Sequence, residues 1–347
     1  MLLTLACGGE REAGTDAGVS AGVTMGITGA ATTLGSAGDA SGSDSGGDKL
    51  DLAGVEPQMG CSKIDLVFVV DNSASMADEQ QQLIASVPGF ITSIQGMLGD
   101  DFHVMVVDTD VGVGDGCYEV MYNSFDCGLW CNANCPDGCN CECNGEPCGP
   151  WSPRPCGELL GAGRVTDAAG NDCGLGSHRF IDATLADPFG AFNCMAAVGI
   201  DGDPSERPAQ ALLTALGPLA TAGECNEGFL RDDALLIVTL ISDEDDSLAS
   251  PGDADSWHDA LVTAKHGNAS AVVMLGLLGD SDVTGGLCPP FDPTDNSGSQ
   301  PSLHLRAWVE SFEYGAWVSV CEPNYSAFFD SALSSIVTAC DEFVPPG

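Results

Sequence analysis

Cations are what this chain has least of. Its 347 residues include 10 Lys and Arg against 51 Asp and Glu, a formal charge of −41. Nucleic acid is thereby excluded as a partner, because binding it requires cationic side chains that displace condensed counterions. An anionic membrane surface repels such a chain as well. Nowhere does the sequence hold the ~20 consecutive apolar residues that span a bilayer, so contact with a membrane is expected only through a lipid anchor. Signatures of catalysis are also missing: there is no HExxH pair, GxSxG elbow, phosphate-binding P-loop or Cys/His dyad. The five histidines, His103, His178, His258, His266 and His304, form no paired motif. A strongly acidic surface does favour one class of partner, divalent cations.

Against these absences stand 17 cysteines, a content that points to an oxidising compartment. Cys7 stands apart from the others, in Leu2-Leu-Thr-Leu-Ala6-Cys7-Gly-Gly9, and leaves sixteen, an even number that can pair completely. Residues 8–59 are mostly Gly, Ala, Ser, Thr and Asp, with few large apolar side chains. A segment of that composition cannot offset its chain entropy by burial and is expected to be a disordered tether, with a reach on the order of 40 Å. The residues around Cys7 resemble the end of a bacterial lipoprotein signal (1–7), which implies lipidation at Cys7. The expected location is the cell envelope, as an exported outer-membrane or cell-surface lipoprotein.

From about residue 60 the pattern is that of a folded domain running to 347. The apolar run Ile64–Val70 reads as a buried parallel strand. Further strands are expected at 102–108, 233–241, 269–278 and 317–321. Helical spacing is present in Leu83, Ile84, Val87, Phe90, Ile91, Ile94 and Met97, with Pro88-Gly89 expected to kink or split that helix. More helices are expected at 208–219, 257–265, 305–312 and around Phe329 to Cys340. Alternating strands and helices predict an α/β fold with a doubly wound, mostly parallel, Rossmann-like sheet covered on both faces.

One region breaks this rhythm. Between about Gly116 and Cys156 nine cysteines lie among Asn, Gly, Pro and Asp, and the interruption of the domain is placed at about 116–175. The spacing Cys131-x3-Cys135-x3-Cys139-x-Cys141-x-Cys143 matches neither a zinc ribbon nor a ferredoxin run, so a disulfide-rich insertion is expected rather than a metal cluster. Topology suggests two cross-links elsewhere. The last helix runs antiparallel to the strands and returns to where strand one begins, which pairs Cys61 with Cys340. Cys288 and Cys321 both follow strands at the opposite edge and are expected to pair.

Directly after the first strand comes Asp71-Asn-Ser73-Ala-Ser75. A carboxylate and two hydroxyls at positions i, i+2 and i+4 on a tight turn can point at one hard cation. The alternative is that they cap the following helix. The strand ending at Ile241 is followed by Ser242-Asp243-Glu-Asp-Asp246, which brings Asp243 to the same sheet edge, where open α/β folds bind ligands. These motifs together resemble the von Willebrand factor type A domain and its metal-ion-dependent adhesion site. The resemblance covers about Cys61 to Asp341 without the insertion. It implies that Ser73 and Ser75 ligate the ion directly, that Asp71 and Asp243 act largely through water, and that an acidic residue of a protein partner fills an open position. The family's third loop carries a threonine. This chain has Asp201-Gly-Asp203-Pro-Ser205-Glu206 there, so Ser205 is the expected substitute, with Glu206 or Asp203 as added charge. Asp108-Thr-Asp110 and Asp201-Gly-Asp203 lack the remaining ligands of an EF-hand and read as turns.

The expected function is therefore binding and not catalysis: a cell-surface module that uses Mg²⁺, with Mn²⁺ or Ca²⁺ as alternatives, to engage an acidic group of a protein for adhesion or assembly. The competing readings are a secreted hydrolase built on the Asp243–Asp246 carboxylates and a structural surface protein whose site is non-functional.

Overall fold

The computed structural model describes residues 60–109, 142–143, 146–147, 156–202, 206–246 and 249–346. Cys7, the segment 8–59, Ser205 and most of the cysteine-rich insertion lie outside the described residues.

Six strands form one sheet. They are β1 (Ile64–Val70), β2 (Phe102–Asp108), β5 (Ile181–Asp182), β6 (Leu235–Ser242), β7 (Val272–Leu278) and β8 (Tyr314–Ser319), and their spatial order is β5-β2-β1-β6-β7-β8. All neighbours are parallel except β5, which pairs antiparallel with β2. A separate two-stranded ladder joins β3 (Glu142–Cys143) to β4 (Glu146–Pro147). Within the main sheet the chain runs outward from β1 to one edge, then returns to β1's other side and runs to the opposite edge. The doubly wound order reverses between β1 and β6, and such a reversal opens a crevice at the carboxyl ends of the strands.

Burial explains why the strands read as unbroken apolar runs. Alternate residues of β1 serve opposite layers: Ile64, Leu66, Phe68 and Val70 face one core, and Val67 and Val69 face the other. Three helices cover the first side: α1 (Ala77–Leu98), α2 (Pro188–Ala196) and α6 (Ser326–Glu342). The second side is covered by α3 (Pro208–Leu216), α4 (Ala254–Ala264) and α5 (Leu303–Glu310). The helix expected to break at Pro88 is one 22-residue element. Its buried stripe of Leu83, Val87, Phe90, Ile91 and Ile94 holds it against the sheet, and Phe90 stacks on Phe329 of α6 at 4.5 Å between centroids. That packing outweighs the one hydrogen bond a proline removes. Other boundaries differ modestly: the last strand begins at Tyr314, and α3 stops at Leu216 before a short 3₁₀ turn.

Four disulfides lie among the described residues: Cys61–Cys340, Cys156–Cys225, Cys173–Cys194 and Cys288–Cys321. Residues 156–175, assigned by sequence to the insertion, pack on the sheet domain. Arg164 N donates to Val106 O of β2 at 2.7 Å, and Cys156 and Cys173 are bonded to cysteines of that domain. The Cys61–Cys340 bond closes a separation of 279 residues beside the hydrogen bonds Gly60 N to Phe343 O and Cys61 N to Cys340 O. Replacing both cysteines by serine is expected to lower unfolding stability by about 2–4 kcal/mol. Urea denaturation measures this, and an unchanged midpoint would show the bond to be thermodynamically idle. Among the described residues no helix is long and apolar enough to cross a membrane.

Candidate metal centre

The end of β1 is wired directly to the end of β6. Val70 pairs with Ile241, and Asp71 N donates to Ile241 O at 3.0 Å. The first residue past β1 is thus set beside Ser242, whose hydroxyl donates to Asp71 Oδ2 at 2.5 Å. Asp71 Oδ1 accepts the backbone N–H of Ser73 at 2.7 Å, which tightens the turn. Gln80 of α1 secures the loop from behind by donating to Asp71 O at 3.0 Å and to Gly199 O at 2.7 Å. Asp71 is fully buried and Ser73 nearly so.

The turn does not serve as a helix cap. The residue at the N-cap of α1 is Met76, and no side chain caps that end. Instead the two serine hydroxyls face each other, with Ser73 Oγ and Ser75 Oγ 3.1 Å apart.

Asp243 completes the cluster from β6. Its side chain is 2% exposed and hydrogen-bonded by Ser75, yet its Oδ1 is buried with no hydrogen-bond partner. Burial, followed by the nearby Asp71 carboxylate, pushes its pKa up to about 8, and Glu244 and Glu79 add to the push. Glu244 is pushed up to about 7, first by burial and then by Asp71. Glu79, in the first turn of α1, is raised by burial and by Asp78 and Asp71. The carboxylates around Ser73 and Ser75 therefore destabilise one another when all are ionised. A buried carboxylate oxygen without a donor costs free energy unless a cation or proton meets it. Oxygen-only donors of this kind fit a hard cation. Ser73 and Ser75 would hold it through their hydroxyls, with Asp71 and Asp243 behind them. Among the described residues no three His, Cys, Asp or Glu side chains converge as a metal cluster by themselves, so the serine hydroxyls are essential to this donor set.

The third loop approaches from the β2 side. Gly202 N donates to Asn72 O at 3.0 Å, and a Cβ at Gly202 would stand 2.6–2.7 Å from Asn72 atoms, so only glycine lets the loop come this close. Thr109, which follows β2, donates to Asn72 Oδ1 at 3.3 Å and is hydrogen-bonded to Glu206. Glu206 is 2% exposed, and Arg207 N donates to Thr109 O at 2.9 Å. The loop's charge is thus held next to Asn72. Sequence reasoning does not single out Thr109, because it reads Asp108-Thr-Asp110 as a turn and gives the threonine no role.

The remaining acidic residues after β6 have structural duties. Asp246 accepts Ala209 N at 2.9 Å at the start of α3, together with Ser250 N and Oγ. Asp245 accepts the N–H of His304 at 3.0 Å and meets its Nδ1 at 2.7 Å, at the start of α5. Asp108, one of the weak calcium-loop residues, is paired with Arg164 at 2.7 Å.

No protein family matches the chain, and no curated protein matches it. Among solved structures it is similar to proximal thread matrix protein 1 from the mussel byssus, at 12% identity and a TM-score of 0.36. That match covers 80% of this chain and 49% of the byssus protein, so the chain spans about half the length of its structural neighbour. The likeness is too distant to carry a fold family or a function across.

Proposed function

We propose that this chain is an exported binding module of the von Willebrand factor type A kind. A divalent cation held by Ser73, Ser75, Asp71 and Asp243 would engage an acidic group on a protein partner, for adhesion or assembly at the cell envelope. Ser205 is the proposed hydroxyl ligand from the third loop. Lipidation at Cys7 and the 8–59 tether would hold the module away from a membrane.

The observation that carries this reading is the buried, unpartnered Oδ1 of Asp243, set among further carboxylates at the point where the strand order reverses. A protein partner is supported by the surface around it. Of the six large apolar side chains exposed among the described residues, Ile200, Val283, Leu287 and Leu303 lie on loops or a helix start at this edge of the sheet. The disulfides are compatible with an extracellular location.

Calorimetric titration with Mg²⁺ and Mn²⁺ tests the proposal. The wild type should bind one ion that EDTA removes. Asp71→Ala and Asp243→Asn should each weaken binding by at least about tenfold, as expected for loss of a residue supporting a metal. Equal binding by wild type and both variants would overturn the assignment.

A further inference from the structure

The sheet ends differently on its two sides. β5 closes one side with only two residues, whereas the other side ends on the six-residue β8. An edge strand leaves backbone groups unpaired, and proteins usually blunt such an edge with brevity, lysine, proline or a bulge. β8 is not short, and its sequence Tyr314-Gly-Ala-Trp-Val-Ser319 contains neither lysine nor proline. Its register fixes which groups face outward. β7 and β8 are parallel with Leu278 opposite Ser319, and Val320 N donates to Leu278 O at 2.9 Å. Ala316 and Val318 therefore turn their backbone groups toward β7, and Gly315, Trp317 and Ser319 turn theirs away. Gly315 N donates to Phe312 O at 3.0 Å, and Ser319 O accepts Glu322 N at 3.2 Å. Among the described residues nothing bonds to Gly315 O or to either backbone group of Trp317. Gly315 to Val318 are also only half-buried.

The side chains around this open stretch are acidic. Glu310 accepts Trp317 Nε1 at 2.7 Å, Glu342 accepts the Tyr314 hydroxyl at 2.6 Å, and Glu313 directly precedes the strand. The cation beside them, Arg306, lies over the Trp317 ring at 5.0 Å and is paired with Asp282 at 2.7 Å, so its charge is already met. A second copy of this chain, formally −41, would bring its own Glu310, Glu313 and Glu342 against the same side chains. An extended guest with lysine or arginine instead finds both main-chain partners and opposite charge. We propose that β8 is a docking edge on which a basic, extended segment of a partner protein adds a further strand beside Trp317. In an antiparallel guest one residue pairs with both backbone groups of Trp317. Main-chain bonds then supply affinity, and the glutamates select the charge of the guest. The inference does not depend on the metal centre.

The test uses the disulfide-intact protein in EDTA, which keeps any divalent cation out of the comparison. The probe is a capped peptide of alternating Lys and Val, about six residues long to match an ordinary strand. It is compared with a peptide of alternating Glu and Val, and with the lysine peptide N-methylated throughout, which keeps its charge but has no main-chain donor. Calorimetry should show binding of the lysine peptide, binding at least about tenfold weaker for its N-methylated form, and none for the glutamate peptide. Amide hydrogen exchange should slow at Trp317 when the lysine peptide is bound. Trp317→Pro removes the outward N–H and spares the bonds to β7, a position where an edge strand accepts proline. It should weaken the lysine peptide by about tenfold, with thermal melting to confirm that it folds; the exchange measurement on the wild type decides the matter if it does not. Equal binding of the lysine peptide and its N-methylated form would show attraction by charge alone and overturn the inference. Failure of the lysine peptide to bind, or an unchanged Trp317 amide, overturns it as well. A wild type that dimerises with its Trp317 amide protected in the absence of peptide would assign the edge to a second copy of this chain and also overturn it.

Discussion

Arg231→Ala is expected to lower unfolding stability by about 3–5 kcal/mol, the usual consequence of removing one partner from a buried ion pair. The partner is Asp65, on the central strand and 0% exposed. Arg231 donates its backbone N–H to Asp65 Oδ2 at 2.7 Å and its Nε–H to Oδ1 at 2.8 Å, and its Nη2 reaches Ile64 O at 2.9 Å. It is also paired with Asp101, and Lys265 anchors it by donating to Arg231 O at 2.7 Å. Burial still dominates, pushing the Asp65 pKa up to about 6 although Arg231 and Lys265 both pull it down. Because the folded value exceeds the unfolded one near 3.8, this group's stability contribution is lost as pH rises toward 6. Without Arg231 the carboxyl climbs further. The variant should therefore lose most stability at pH 8 and much less at pH 5, where Asp65 is protonated. Since domains are stable by only about 5–15 kcal/mol, this is a large fraction of the total. Urea denaturation at both pH values provides the measurement, and Asp65→Asn in the Arg231→Ala background should recover part of the loss. An equal deficit at pH 5 and pH 8 would contradict the ionic origin.

The parts of the molecule that are legible in the sequence share one physical cause. A central parallel strand is buried on both faces, so β1, β6 and β7 stand out as continuous apolar runs, and the polar residues that end them mark the carboxyl edge without further information. Asp71 and Asp243 are readable because each terminates such a run. Where burial is partial the signal weakens. In β8 residues Gly315 to Val318 are only half-buried, so no apolar run marks its start at Tyr314. The two-residue β5 is too short to show any period. The nine-residue α2, started by Asp187 accepting Gly190 N at 2.9 Å, sits in a polar, cysteine-bearing stretch that hides its apolar face. Pro88 misleads because local propensity is outweighed by the packed stripe on either side of it. Charge alone does not distinguish roles either. Glu79 and Asp78 both read as ordinary first-turn acids, but a shielded oxygen without a partner is found on Glu79. Likewise, Cys156–Cys225 and Cys173–Cys194 depend on how non-consecutive loops fold back, which spacing does not encode.

In EDTA the protein should be more stable at pH 6 than at pH 8, and a saturating divalent cation should abolish that difference by stabilising it more at pH 8. The first half follows from the direction in which burial moves the carboxyls. Asp243 is raised to about 8, Glu244 to about 7, and Glu79 is raised as well, all above the ordinary 3.8 of an aspartate or 4.5 of a glutamate. Between those limits the folded protein holds protons that the unfolded chain has released, so stability falls as pH rises through the folded values. Moving one carboxyl's pKa by a single pH unit is worth about 1.4 kcal/mol, so a fraction of the Asp243 displacement already makes the pH slope measurable. The second half follows because a cation and protons compete for the same oxygens. At pH 6 the ion must displace protons, whereas at pH 8 it meets ionised carboxylates that repel one another. Ligand present at 1,000 times its dissociation constant stabilises by about 4 kcal/mol, and that constant should be smaller at pH 8. Asp243→Asn removes the most strongly raised carboxyl. It should therefore be more stable than wild type in EDTA at pH 8, with a flatter pH profile and little gain from the ion. Thermal melts of both proteins at pH 6 and pH 8, with EDTA or with Ca²⁺ or Mg²⁺, provide all four comparisons. Cation stabilisation that is equal at the two pH values would show that the ion binds somewhere other than this carboxylate cluster. A wild type that gains stability from pH 6 to pH 8 in EDTA would show that these carboxyls are not under the mutual repulsion their burial implies.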